Sequence, residues 1–130
     1  MIETAVQTAI YSTLNSALSI PVYDHAPQKP DAALGFPYVT IGEDTTNEWD
    51  TDTEIGGDVV CTIHTWSRFR GREEVKEIQG QIYTALHRAS LTFSGYAFMD
   101  CFFETSDSFL DADGLTYHGV QTFRVHLEEV

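Results

Sequence analysis

Two stretches of helical spacing, set in a chain that otherwise reads as strand and turn, constrain the fold more than any other feature. In the first, Ile2, Ala5, Val6, Ala9, Ile10, Leu14, Ala17 and Leu18 recur at three- and four-residue steps. They form one apolar stripe, with Gln7, Thr8, Ser12 and Asn15 on the opposite side. Glu3 suits the positive end of the helix dipole, and Pro21 stops the pattern. The second spans 72–89 through Val75, Ile78, Ile82, Ala85, Leu86 and Ala89. Glu73, Glu74 and Glu77 open it, and His87 and Arg88 fall in its last turn, which again suits the dipole. Each stripe needs an apolar surface to cover it, and the remaining sequence supplies a sheet.

Strand-like segments fill the rest. Val22-Tyr23 is a short extended piece. Residues 24–37, with Pro27, Pro30, Gly35 and Pro37, form a loop. Tyr38 to Ile41 is a strand. Val59 to Trp66, dense in β-branched residues, is a central strand. Ser67 to Gly71 is a turn. Leu91 to Phe93 is a short strand, Ala97 to Glu104 a longer one, and Phe109-Leu110 leads into the turn Asp111-Ala112-Asp113-Gly114. Leu115 to Glu128 is a long strand, with Phe123, Val125 and Leu127 on one face and Thr122, Arg124 and His126 on the other. This order predicts an α+β fold, a single domain over 1–130, with two helices packed on one face of a mostly antiparallel β-sheet.

Charge narrows the function. Seven basic against 20 acidic residues leave a formal charge of −13. Such a chain is a poor candidate for gripping nucleic acid, where affinity comes from cations that displace counterions. It is equally unsuited to an anionic membrane surface. No segment approaches the length of a membrane-spanning apolar run, and no leader pattern is visible. Cys61 and Cys101 are too few for a disulfide scaffold and read as small buried hydrophobes. The expectation is a soluble protein of a reducing cytoplasm.

The acids are unevenly placed. Residues 43–58 hold Glu43, Asp44, Glu48, Asp50, Asp52, Glu54 and Asp58 with no base. Trp49 is the only large aromatic there. This segment reads as a long exposed loop or protruding hairpin closed by Gly56-Gly57. A second acidic group is Asp107, Asp111 and Asp113. Three of the seven bases sit together in Arg68-Phe69-Arg70-Gly71-Arg72. This turn is either a helix-entry loop whose arginines pair locally or a docking patch for an acidic surface, including a second copy of the chain. An acidic flap and a basic loop suit head-to-tail contacts, which close into rings when the rotation allows. Exposed ion pairs contribute only ~0–1 kcal/mol each, so Trp49, Phe69 and Phe109 are the candidates for apolar contact.

Chemistry is sparse. Asp111-Ala112-Asp113-Gly114 has part of a calcium-loop pattern, but position 109 is Phe and position 120 is Val where ligands belong. His25, His64, His87, His118 and His126 form no metal-binding motif; His64 and His126 are the two placed to approach across a sheet. There is no nucleophile elbow and no glycine-rich phosphate loop, and the carboxylates lie in solvated loops that do not tune a catalytic pair. No catalytic residue, cofactor or metal is expected.

The order of segments resembles a known family. It comprises the N-terminal helix, Val22-Tyr23-Asp24, a Pro-rich turn, and Phe36-Pro37-Tyr38-Val39-Thr40-Ile41-Gly42. An acidic loop follows, then Ile63-His64-Thr65-Trp66-Ser67-Arg68 and Gly71-Arg72-Glu73-Glu74-Val75. The chain closes with Asp113-Gly114-Leu115-Thr116-Tyr117-His118-Gly119-Val120 and Phe123-Arg124-Val125. Over nearly its whole length the chain is similar to the tail-completion, or tail-terminator, proteins of long-tailed bacteriophages and gene transfer agents. The resemblance implies a small α+β structural protein of the virion that forms a hexameric ring. That ring caps the tail tube, stops its polymerisation and meets the head-completion proteins at the neck. It implies no enzyme activity, no cofactor and no membrane. Duplex DNA would pass through without specific binding, and an acidic lumen drawn from 43–58 or from Asp107, Asp111 and Asp113 would repel phosphate. The acidic loop is variable in such families and takes no role by analogy. The competing readings are a head-closure or connector protein of the neck, and a small cytoplasmic ligand-binding domain with a pocket between the 72–89 helix and the sheet.

Overall fold

The computed structural model describes residues 2–24, 35–48, 56–91, 93 and 95–129. The elements in order are α1 (Ile2–Ala17), β1 (Val22–Tyr23), β2 (Tyr38–Glu48), β3 (Gly56–Ser67), α2 (Glu73–Leu86), β4 (Tyr96–Leu110) and β5 (Tyr117–Glu129). The five strands form one sheet in the order β1-β2-β3-β5-β4. β1 runs parallel to β2, and every other pairing is antiparallel. Both helices lie on one face, as the sequence predicts for this α+β class.

The alternation of β3 explains its central place. Val59, Cys61, Ile63, Thr65 and Ser67 are buried towards the helices, and the residues between them point the other way. Val6, Ile10 and Leu14 of α1 and Val75, Ile78, Ile82 and Leu86 of α2 close over that face. Phe123, Val125 and Leu127 of β5 complete the core and are fully buried. Burying a side chain of this size stabilises by about 1.5–3 kcal/mol, so these stripes supply most of the folding drive. Both cysteines are free and buried. Burial, the leading cause for each, pushes their thiols up to about 12.

Several expected boundaries move, each for a tertiary reason. β2 does not stop at Ile41. A bulge between Ile41 and Asp44 lets it continue against β3 to Glu48, so the acidic segment begins and ends as a hairpin, with Glu43, Asp44, Glu48 and Asp58 on its strands. Gly56-Gly57 starts β3 rather than closing a loop. A Cβ on Gly57 would lie 2.1 Å from Ile2 Cδ1, so the missing side chain admits the start of α1.

α2 ends at Leu86. His87 is extended, and Arg88 adopts φ 58 while its N–H donates to Cys101 O at 2.8 Å, so the edge of β4 takes an amide that a longer helix would have used. Of the expected 91–93 strand, Phe93 makes an isolated bridge to Tyr96, and Thr92 lies outside the described residues. β4 runs on through Thr105–Ser108, past a second bulge, because β5 pairs with it throughout. Of these, Asp107 is of a type depleted in strands. Phe109 is therefore a strand residue, not a loop aromatic. β5 starts at Tyr117 rather than Leu115, because the preceding turn holds residues 111–116: Asp111 N–H donates to Thr116 O at 2.8 Å.

Candidate interaction surface

The helices cover one face of the sheet; among the described residues no helix lies on the other, where Tyr38, Thr40 and Thr62 are buried by their neighbours. Cross-strand register puts Tyr38 of β2 beside Trp66 of β3, Trp66 beside His118 of β5, and His118 beside Phe109 of β4. These side chains form an aromatic row across four strands. Trp66 and His118 stack with centroids 3.8 Å apart and 12° between planes. Tyr38 stacks on Trp66 at 6.3 Å, and Phe109 meets His118 edge-on at 4.9 Å. Trp66 Nε1–H donates to Thr40 Oγ1 at 3.1 Å. Burial is the main cause holding the Tyr38 phenol above its ordinary value.

One step along the face, His64 Nδ1 lies 2.7 Å from His118 Nε2, and His64 Nε2 lies 3.3 Å from Glu43 Oε2. The expected approach of His64 to His126 does not occur, because the two occupy distant rungs of the β3–β5 ladder. Glu43 is held below the ordinary carboxylate range. Its own backbone N–H is the largest cause, burial opposes it, and His64 adds to the lowering.

At the far end of the same face Asp58, Asp100, Glu104, Arg124 and His126 form a network. Arg124 Nη1 donates to Asp58 Oδ2, and its Nε donates to Glu104 Oε1 at 3.1 Å. His126 contacts Asp58 Oδ1 at 3.2 Å and Asp100 Oδ1 at 2.7 Å. The alternation of β5 places Arg124 and His126 on the polar face in sequence. Their partners on β4 follow only from the two bulges that reset its register.

The basic turn lies at the aromatic end. Arg68 Nε donates to Thr116 Oγ1 at 3.2 Å, its Nη2 lies 3.9 Å from Asp113 Oδ2, and its guanidinium covers the Phe36 ring at 4.5 Å. Arg72 lies over Tyr117 at 5.8 Å. Arg70 is exposed and makes no ion pair among the described residues. The turn itself is set by Ser67, whose hydroxyl donates to Glu74 Oε1 at 2.6 Å and accepts from Phe69 N–H at 3.1 Å. Arg68 thus pairs locally and Arg72 packs over Tyr117, while Arg70 does neither among the described residues.

Exposed apolar groups gather at this end. Phe69 (56 %), Phe109 (41 %), Leu110 (44 %) and Leu115 (64 %) belong to adjoining strand ends and turns. The two leucines escaped notice in the sequence, where they read as ordinary strand residues. Trp49, Asp50, Asp52 and Glu54 lie outside the described residues, as does His25.

The two acidic groups read from the sequence overlap along the sheet, since Glu43 of the first and Asp111 of the second both act on His118. Gly56 pairs with Glu128 at one end of β3 and Ser67 with Tyr117 at the other, a span of about 35 Å of strand. Glu48 and Asp58 lie near the Gly56 end, Asp44 is opposite Cys61 at mid-strand and lines a cleft against α1 with Glu3 and Asp24, and Glu43 lies towards the aromatic end beside His64. Asp107, Asp111 and Asp113 are at the aromatic end. Asp113 is committed to its turn: it accepts from Thr116 Oγ1 at 2.7 Å and from the N–H groups of Leu115 and Thr116. Those bonds, the hydroxyl first, lower its carboxyl to about 2.

Between α2 and β4 lies a groove of about 350 Å³. Gln79 crosses it to donate to Asp107 O at 2.9 Å, and Gln121 Nε2 donates to Gln79 O at 3.0 Å. These side chains tie α2 to the edge strand. Among the described residues no group of three or more His, Cys, Asp or Glu can hold a metal ion, and no helix is long and apolar enough to cross a membrane.

The fold and its site define a small two-layer α+β domain whose distinctive chemistry is spread over open surfaces. The chain belongs to the family described as tail completion protein gp17, whose model matches residues 4–128. This is a family of structural tail-completion proteins of bacteriophages. The tail completion protein gp17 of Bacillus phage SPP1 is 26% identical over 117 residues, covering 89% of this chain and 87% of that protein. In fold, the chain is similar to one in the virion of a native gene transfer agent particle. That match has a TM-score of 0.85 and 21% identity, over 98% of this chain and 97% of the other. It is also similar to bacteriophage SPP1 gp17, with a TM-score of 0.58 and 24% identity, over 95% and 89% of the two chains.

Proposed function

We propose that this protein is a tail terminator of a long-tailed phage or related particle. In this reading copies of the chain assemble into a hexameric ring in the host cytoplasm. The ring caps the tail tube, stops its polymerisation and joins it to the head-completion proteins of the neck, where it stays in the virion. The observation that carries the reading is the family match over residues 4–128. The fold likeness to a chain in the virion of a native gene transfer agent particle supports it.

The Arg68–Arg72 turn supports a head-to-tail contact, because it sets the exposed Arg70 beside the exposed Phe69 and Phe109 at one end of the sheet. In the ring, Arg70 meets acids of the next subunit while Phe69 and Phe109, with Trp49, supply apolar contact. The acids of the 43–58 hairpin are favoured over Asp113 for the lumen, because the Asp113 carboxylate is occupied by its turn. A carboxylate-lined passage lets duplex DNA through without holding it.

Electron microscopy of particles assembled without this protein tests the role. Overlong tails are expected. DNA-leaking heads beside normal free tails would overturn the reading in favour of a head-closure protein. A monomer that stays monomeric on tail tubes and binds a small molecule would favour a ligand-binding domain.

A further inference from the structure

We propose that His64 and His118 form a one-proton couple that makes the aromatic end of the sheet face opposite the helices sensitive to acid. The inference rests on geometry and stands whether or not the protein forms a ring.

With both imidazoles neutral, the bonds fix the tautomers. His64 Nε2–H donates to Glu43, which leaves His64 Nδ1 as the acceptor for His118 Nε2–H. A first added proton is accommodated. It gives His64 two N–H groups, one donated to the Glu43 carboxylate and one to His118 Nε2, while the His118 hydrogen moves to its outer nitrogen. A second proton has no such place. Both facing nitrogens would then carry hydrogen at 2.7 Å with no acceptor between them.

The surroundings give the pair little freedom. A Cβ on Gly42 would lie 2.5 Å from His64 Nε2, so the ring occupies the space of the absent side chain at the β2 bulge. His118 is held between Trp66 and Phe109. Doubly charging the couple therefore requires one ring to leave its place, and His118 can leave only by breaking the stack on Trp66.

Among the described residues, the titratable and charged groups around the couple are few. β2 contributes Glu43 and Tyr38, β4 contributes Asp107, and the β4–β5 turn contributes Asp111. Arg68 acts on Tyr38 from the adjoining turn. Both helices pack on the opposite face. Burial lowers His118 most, His64 lowers it further, and Asp111 and Glu43 act against them.

Histidine NMR titration of the unaltered full chain tests the couple directly, with Trp66 emission in a Trp49→Phe background as the second readout. Trp49 is the other of the two tryptophans. The expected result is two macroscopic steps separated by more than about one pH unit, with Trp66 emission changing only in the lower step. His118→Asn should leave one histidine step at this site and abolish the emission change. Gly42→Ala should displace His64 and return His118 towards an ordinary titration. Two imidazoles titrating independently near ~6.5, with Trp66 silent throughout, would overturn the proposal even if neither variant folded.

Discussion

Gly119 lies where α2 crosses β5, and replacing it should expose how the helix is anchored. A Cβ there would sit 2.5 Å from Gln79 Nε2 and 2.9 Å from Val75 Cγ1. Gln79 cannot simply swing aside. Its amide donates to Asp107 O on the edge strand, and its backbone carbonyl accepts from the buried Gln121. Overpacking of this kind costs about 1–3 kcal/mol, so Gly119→Ala should lower stability by about 2 kcal/mol. Gln79→Ala should cost about 1–2 kcal/mol through the lost bond and the acceptor it abandons.

Together the two changes relieve each other, because truncating the glutamine side chain vacates most of the space that the added methyl on β5 needs. Val75 remains close, so relief is incomplete. The double variant should be about 1–2 kcal/mol more stable than the sum predicts, within the range for residues in contact. Urea denaturation followed by circular dichroism measures all four proteins. With a slope of about 1–3 kcal/mol/M for a small protein, such coupling shifts the midpoint readily. Additivity within about 0.3–0.5 kcal/mol would refute the claim that Gly119 is small in order to admit Gln79.

Four further outcomes follow from the geometry. Phe123→Ala removes the largest fully buried side chain among the described residues, which also meets Phe103 edge-on at 5.7 Å. It should cost about 3–5 kcal/mol, read as a fall in the thermal midpoint. The Cys61 and Cys101 thiols, pushed up to about 12 by burial, should alkylate at neutral pH only at the rate the native protein opens; fast labelling would contradict their burial. Because His118 titrates lower folded than unfolded, its contribution should be complete above about pH 6.5 and decline as pH falls towards the depressed value. Stability curves of His118→Asn and the parent should therefore converge on acidification. Asp113, lowered from 3.8 to about 2, favours the fold above the unfolded value and loses that effect as pH falls through about 2; Asp113→Asn should flatten this acid limb of the stability profile.

Much of the fold was legible because it depends on periodicity. The stripes of α1 and α2, the density of branched residues in β3 and the alternation of β5 each follow from the side chains themselves. The candidate surface was less legible. Arg68, Phe69, Arg70 and Arg72 stood out by composition, and Phe109 by its aromatic type. Leu110 and Leu115 did not, because a leucine in a strand-like segment gives no sign of facing solvent. Gln79 and Gln121 were equally silent, since their roles are bonds to backbone 28 and 42 residues away. The true reach of β2 and β4 was hidden by polar residues that pair only because a neighbouring strand presents its hydrogen bonds to them.

By itself the sequence determined that this protein would have two helices on a sheet, a buried core and a large negative charge concentrated in one segment. Those properties are set by residues near one another in the chain. Tertiary structure alone decided that His64 would face His118 rather than His126, and that Arg124 would lie between Asp58 and Glu104. It also decided that Glu43 and Asp111, from separate acidic groups, would both act on His118. These arrangements depend on strand order and on bulges, and a one-residue shift in either strand carries a side chain to the other face.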